Sequence, residues 1–245
     1  MCGIVGSRDP RKLLNILDEL STRGTRAFSV TLIDLQLLSL VHQIGMHERY
    51  SRAAVETCII EIAEEKFAVH NPYWIVHLQS PTAINYSFHP ARDEATHYSL
   101  WHNGMLESSE LEKFKDDKGD KPWDTELLLN LLTTGDMRTP PRMLDSLPTT
   151  VDRQQNTSPN PLQSILPQIQ HLQKFQGSFA CLYLIKGQGL YAFRNRIAPM
   201  FHDEYGTVCS IMFSGAEKMD PNTVYVIPSM EKICIFIHDY NPFGV

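Results

Sequence analysis

Read for the spacing of its apolar residues, the chain opens with a short buried-strand pattern, Gly3-Ile4-Val5-Gly6, and then changes period. Asp9-Pro10 offers a helix N-cap and a first helical position. Leu13, Ile16, Leu17 and Leu20 follow at three- and four-residue intervals, which predicts a helix laying one apolar stripe on a sheet and ending at Arg23-Gly24. Residues 28–33 and 37–41 are strand-like runs separated by Asp34 and Leu35-Gln36, the pattern of a hairpin. From Ser51 the period returns to helical: Ala54, Val55, Cys58, Ile59 and Ile62 face one way and Glu61, Glu64 and Glu65 the other. Asn71-Pro72 breaks that helix, and residues 73–78 make a buried strand whose end hands Gln79, Ser80, Pro81 and Thr82 to a loop.

Residues 98–101 form a short strand that runs into His102-Asn103-Gly104. Asn-Gly is a strong turn signal, so a plain hairpin turn is one reading of that tripeptide. A short helix is expected around Ser108, Leu111 and Phe114, followed by a charged stretch over 115–121. Asp124 then sits where the N-cap of a helix carrying Leu127, Leu128, Leu131 and Leu132 belongs. Residues 135–161 break the pattern, with Pro140, Pro141, Pro148, Pro159 and Pro161 among polar residues, and are expected to form a mobile exposed loop inside one domain spanning 1–245. Apolar helix-like sequence resumes at Leu162. Strands are predicted at 179–185 and 189–193, joined by a turn at 186–188, and again at 208–213, 224–227 and 232–237. Strands, then helices, then strands, joined by hairpins, predict an α+β fold with two layers of mostly antiparallel sheet covered by helices.

Composition narrows the partners. The 245 residues carry 22 Lys and Arg against 28 Asp and Glu, a net charge of −6, with no basic run, so neither nucleic acid nor an anionic membrane is expected to bind. No apolar run reaches the ~18 residues of a membrane span, and a cytoplasmic protein is expected. Cys58, Cys181, Cys209 and Cys234 lie in apolar segments and are expected to be reduced core residues. His77, His89 and His102 have no acidic or Cys partner at ligand spacing, and no metal or cofactor is expected.

The fifth cysteine is different. With Met1 removed, Cys2 carries a thiol and a free α-amine on one residue, and an amine of pKa about 7.7 to 8.0 can take the thiol proton directly or through a water. A nucleophile with its own base needs no partner histidine.

Met1-Cys2-Gly3-Ile4-Val5-Gly6 resembles the start of the class II glutamine amidotransferases, which are N-terminal nucleophile hydrolases. The resemblance continues, in the family's order, at Ser21-Thr22-Arg23-Gly24, at His77 through Thr82, at Phe88-His89-Pro90, at His102-Asn103-Gly104, at Trp123-Asp124-Thr125-Glu126 and at Phe175 through Ala180, so it covers roughly residues 1 to 215. It implies a four-layer α-β-β-α sandwich with Cys2 at the end of a central strand. It also implies that Asn103 and the Gly104 N–H are oxyanion donors, that Asp124 pairs with the α-ammonium of glutamine, that Arg23 lies beside the nucleophile, and that Ser80 and Thr82 line the substrate site. The family's Arg for the α-carboxylate is here Gln79, a neutral donor, with Arg26 the nearest cation that could compensate. The implied activity is release of ammonia from glutamine or a related small amide. No ATP-binding loop or second domain is present to use that ammonia, so a separate synthase subunit is implied. Gln79 favours one rival, a same-fold amidohydrolase acting on another γ-glutamyl or amide compound; a second rival is a non-catalytic member acting as an interaction subunit.

Overall fold

The computed structural model describes residues 2–24, 26–65, 68–80, 88–93, 97–115, 122–139 and 161–235. In chain order the elements are β1 (Gly3–Ser7), α1 (Pro10–Leu20), β2 (Ala27–Asp34), β3 (Ser39–Met46), α2 (Arg52–Glu64), β4 (Pro72–Gln79), β5 (Ala91–Arg92), β6 (Tyr98–Leu106), α3 (Ser108–Glu112) and α4 (Asp124–Thr134). They continue with α5 (Pro161–Gln170), a 3₁₀ turn (His171–Lys174), β7 (Gly177–Ile185), β8 (Gly189–Arg194), β9 (Phe201–His202), β10 (Val208–Cys209), β11 (Glu217–Lys218), β12 (Thr223–Ile227) and β13 (Lys232–Cys234).

Two sheets result, one ordered β11-β9-β10-β1-β4-β2-β3 and the other β13-β12-β8-β7-β6-β5. The neighbouring strands in both run antiparallel. Alternation along each strand sends side chains to opposite faces. On β1, Ile4 faces the second sheet, in one cluster with Trp101, Ala180 and Leu182, whereas Val5 faces outward into a cluster with Leu13, Leu17, Val55 and Cys58 of α1 and α2. The second sheet's outer face packs Leu100, Phe179 and Tyr183 against Leu128, Leu131 and Leu132 of α4 and Ile165 and Ile169 of α5. The expected helix–sheet–sheet–helix order is therefore present.

Local chemistry accounts for the helix ends. The Asp9 carboxylate accepts from the Arg11 N–H at 2.8 Å and Pro10 opens α1, while Ser51 caps α2 by accepting from the Ala54 N–H at 3.1 Å. Helix α1 stops at Leu20, before Arg23-Gly24, because Ser21 and Thr22 turn their hydroxyls onto the Asp18 and Glu19 carbonyls. Gly135 ends α4 in the left-handed region, φ 76°.

Several expectations need correcting. The second hairpin strand starts at Ser39, because Leu37 and Leu38 lie in the turn, Leu38 at φ 48°. Its turn is held by Asp34, whose buried carboxylate accepts N–H groups of Gln36, Leu37 and His70; burial raises its pKa, but these bonds outweigh that and hold it below the usual range. The run 208–213 pairs only at Val208–Cys209. The last strand is an edge strand that leaves Cys234 exposed, so this cysteine is not a core residue. Of the loop expected at 135–161, residues 140–160 lie outside the described residues.

Leu17 is fully buried between α1 and the sheet, and Leu37 is 57 % exposed. Leu17→Ala should cost about 2–5 kcal/mol in urea unfolding, and Leu37→Ala within about 0.5 kcal/mol of nothing.

Candidate active site

Cys2 begins the central strand. One step beyond the Gly3–Leu78 pair of β1 and β4, it stands across from Gln79 and shares the inter-sheet face with Ile4. Gly3, on the opposite face, has no room for a side chain: an added Cβ would lie 2.7 Å from Leu20 Cγ. The Cys2 thiol accepts the Ser80 backbone N–H. Burial raises its pKa and so does the Asp124 charge, while the Ser80 N–H and the positive amino terminus work the other way; the net shift is upward.

The second component comes from the other sheet. Strand β6 runs straight through Asn103-Gly104, pairing them with Ala180 and Phe179 of β7, so this Asn-Gly is not a turn. Trp101 faces the inter-sheet core and Leu100 the outer helices, so Asn103, in phase with Trp101, points toward the sheet that carries Cys2. The Gly104 N–H takes the other edge of β6. Phe179, its partner, directs its own N–H to Asn195 Oδ1 and its carbonyl to the Asn195 N–H, on the β8 side, so the Phe179–Gly104 pair exchanges no hydrogen bonds. Because β5 pairs only as far as Leu100, the Gly104 N–H faces an edge on which no described strand continues. A side chain at 104 is excluded on the opposite side: a Cβ would lie 1.9 Å from the Ser178 carbonyl oxygen and 2.5 Å from His102 Nε2.

Behind these donors lies a buried histidine cluster. The His102 N–H donates to His89 Nδ1 at 3.3 Å, and the His102 carbonyl accepts from His77 Nε2 at 3.2 Å. The His77 and His89 rings stack at 3.6 Å, and His89 meets Trp123 edge-on at 4.7 Å. Burial, then its neighbour His102, lowers His77 to a pKa of about 3 against an opposing hydrogen bond to the His102 carbonyl. His89 is held well below its ordinary value by burial first and then by His77 and His102, with the Leu100 carbonyl opposing. Both rings are neutral at working pH. The His102 ring points outward: Nε2 donates to the Ser178 carbonyl at 3.2 Å, leaving Nδ1 facing Thr125 Oγ1 at 3.3 Å and Asp124 Oδ2 at 4.0 Å. Among the described residues no group of three His, Cys, Asp or Glu side chains is arranged to hold a metal.

The remaining sequence-predicted residues fall as follows. Asp124 is the first helical residue of α4 rather than its cap, which is Trp123, and its partly exposed carboxylate is near enough to raise the Cys2 thiol. Gln79 is the last residue of β4, not a loop residue, and is 8 % exposed on the Cys2 face. Ser80 is buried beside it. Gly24 packs onto the Gln79–Ser80 peptide, where a Cβ would lie 2.8 Å from the Gln79 carbonyl carbon. Arg26 is exposed and its backbone N–H donates to the Gln79 carbonyl at 3.1 Å. Arg23 keeps one buried nitrogen, Nη1, without an acceptor among the described residues; its charge acts on Cys209, which burial nevertheless pushes up to about 12. Thr82 lies outside the described residues. Beyond not forming a metal site, His77 and His89 had no expected role, and their bonds to the backbone of another strand leave no side-chain pattern by which the sequence could have shown one.

No protein-family profile matches the chain, and no curated protein matches its sequence. Solved structures do. The glutamine phosphoribosylpyrophosphate (PRPP) amidotransferase from B. subtilis complexed with ADP and GMP superposes with a TM-score of 0.56 at 18 % identity, over 95 % of this chain and 48 % of that one. A structure described as the allosteric regulatory enzyme of purine biosynthesis gives 0.58 at 17 %, over 94 % and 48 %. This chain spans about half the length of both. The fold is that of the N-terminal nucleophile hydrolases. Strands β1 and β6 of the facing sheets are in contact, with Cys2 just before the first and Asn103 on the second. Among the described residues no helix is long and apolar enough to cross a membrane.

The neutral histidines make stability depend on pH. An unfolded imidazole gains its proton near 6.5, and the folded His77 only near 3. Between those values unfolding takes up a proton, so stability falls as pH drops, by roughly 1.4 kcal/mol per unit for His77 alone. Urea midpoints at pH 7, 5.5 and 4.5 should decline accordingly, and His77→Gln should flatten the decline.

Proposed function

We propose that the protein is an amidohydrolase that releases ammonia from the side-chain amide of glutamine, with Cys2 as nucleophile once Met1 is removed. The observation that carries this reading is the convergence, from two sheets, of a strand-leading cysteine and an Asn-Gly pair whose glycine N–H faces an unpaired strand edge. The α-amine of Cys2 takes the thiol proton, and the thiolate attacks the carboxamide carbon. Asn103 and the Gly104 N–H receive the oxyanion, and losing one such donor typically costs ~2.7–4 kcal/mol. The ammonium returns its proton to the departing nitrogen, which leaves as ammonia, and water then cleaves the thioester to a carboxylate. Asp124 provides the anion for the substrate's α-ammonium, and Ser80 lines the same pocket. In this reading residues 1–245 act as one glutamine amidotransferase domain in the cytoplasm, passing ammonia to a separate synthase. Its support is the fold shared with a protein named as an amidotransferase.

Gln79 favours a second reading, an amide substrate whose α-carboxylate is capped or absent. A charged donor is worth roughly 1.5–3 kcal/mol, tenfold to a hundredfold in affinity, and Gln79 supplies none. If glutamine is the substrate, Gln79→Arg should lower its KM by about that factor, or Arg26→Ala should raise it where Arg26 fills the role. Faster turnover of a dipeptide with N-terminal glutamine than of glutamine itself decides for the second reading.

Intact mass should show Met1 absent from active protein, and Cys2→Ser should abolish ammonia release measured by a coupled assay. Met1 retained on fully active protein overturns the mechanism. A glutamine-derived diazoketone should alkylate Cys2 ahead of Cys58, Cys181 and Cys209, which are buried with raised pKa values. Cys234 is exposed, so the labelling is read in a Cys234→Ser background.

A further inference from the structure

The nucleophile and the oxyanion donors sit on different sheets, and the interface between those sheets is apolar for most of its area. Apolar contacts are non-directional, so they fix the gap far less sharply than hydrogen bonds do. At the end of the sandwich where Cys2 lies, polar contacts replace them. His77, on β4 and paired with Ile4 of β1, reaches across to donate its Nε2–H to the His102 carbonyl on β6. The His89 backbone carbonyl is held to the first sheet by Ser29 Oγ at 2.6 Å and Gln43 Nε2 at 2.9 Å, while its ring accepts the His102 N–H from the second. His102 therefore has both backbone groups on its open edge satisfied by imidazoles, in the place where a neighbouring strand would otherwise pair. The next residue on that edge is Gly104, whose N–H is left for a ligand.

We infer that His77 and His89 are positioning residues, a two-histidine strut that sets the separation between Cys2 on one sheet and the Asn103–Gly104 donors on the other. This rests on the amidohydrolase reading above. His77 acts at the peptide linking His102 to Asn103 and His89 at the Trp101–His102 peptide before it, so a change in either ring tilts the Asn103 side chain and the Gly104 N–H together. It touches neither substrate nor nucleophile. Its removal therefore falls on transition-state stabilisation, and substrate held by Asp124 and Gln79 is bound as before.

The test uses paired substitutions that keep or remove the bonding atom. His77→Gln keeps a donor near the place of Nε2 and His89→Asn an acceptor near that of Nδ1, whereas His77→Leu and His89→Leu keep bulk and remove both. The Leu variants should lower kcat about a hundredfold, the usual effect of a misplacement of about 1 Å, with KM within about twofold. The Gln and Asn variants should recover most of the loss. Equal losses in the Leu and amide variants, a wild-type kcat in the Leu variants, or a change confined to KM overturns the strut. Amide hydrogen exchange supplies an arm that needs neither catalysis nor the Leu variants. The His102 N–H should be protected in the wild type and in His89→Asn although no strand pairs with it, and rapid exchange there overturns the proposal. A wild-type protein that hydrolyses no glutamine or glutaminyl dipeptide sinks the function reading, and the exchange arm still decides whether the strut exists.

Discussion

In the proposed mechanism a thiol on one sheet and oxyanion donors on another can cooperate only if the distance between the sheets is fixed, and much of this structure bears on that requirement. Strand β1 is paired on both edges, by β4 and β10, and buried on both faces. The Ile4 N–H donates to Ser210 Oγ at 3.0 Å and the Ser210 N–H to the Ile4 carbonyl at 2.9 Å, so pairing persists to the residue two places from Cys2. Gly3 lets Leu20 close over the outer face of the strand, which ties α1 to the end that carries the nucleophile. On the facing sheet, β6 is held by β7 along its whole length and β7 in turn by β8. Each sheet is thus rigid in its own plane. What remains soft is translation across the gap, and the inter-sheet hydrogen bonds of His77 and His89 lie where that motion would matter most.

Burial at this end carries an electrostatic consequence. Partial burial strengthens hydrogen bonds to an oxyanion, yet the same desolvation raises the Cys2 thiol and disfavours the thiolate. Asp124 adds to the difficulty. A separate protonated histidine would offset it, but His77 and His89 are held neutral by burial first and then by neighbouring histidines. A base attached to the nucleophile avoids the problem, because proton transfer from thiol to α-amine separates charge over a few bonds and leaves the site's total unchanged. The Ser80 N–H contributes a fixed dipole aimed at sulfur without adding charge.

Much of the architecture was legible because its periodicities are unambiguous. The stripe Leu13, Ile16, Leu17, Leu20 and the run 179–185 could each satisfy only one element type, and the structure has those elements. Legibility failed where tertiary contacts outrank local preference. Asn103-Gly104 has the chemistry of a turn, but β7 pairs with it on both sides, and the glycine is required by the Ser178 carbonyl rather than by backbone conformation. Cys234 lies in an apolar segment, and its exposure follows from the position of β13 at a sheet edge, which no local pattern encodes. Asp124 looked like a cap because its position is one residue from the capping site. The role of His77 and His89 was invisible for another reason. Each makes its decisive bond to the backbone of a residue, His102, on a different sheet, and such a bond leaves no side-chain pattern in the sequence.

Gln79 becomes intelligible from the same packing. It is nearly buried, its peptide lies against Gly24, and the residue preceding that glycine is Arg23, which already has a buried guanidinium nitrogen lacking a described acceptor. A second guanidinium at position 79 would bring another cation into a poorly solvated region. A partnerless buried charge costs several kcal/mol of stability in the free protein, a cost that a bound substrate carboxylate would offset. A neutral amide at 79 avoids that cost in the free protein. The choice between a free and a capped α-carboxylate in the substrate therefore depends on whether Arg23 or Arg26 can reach it, because the strand end has given up the charge.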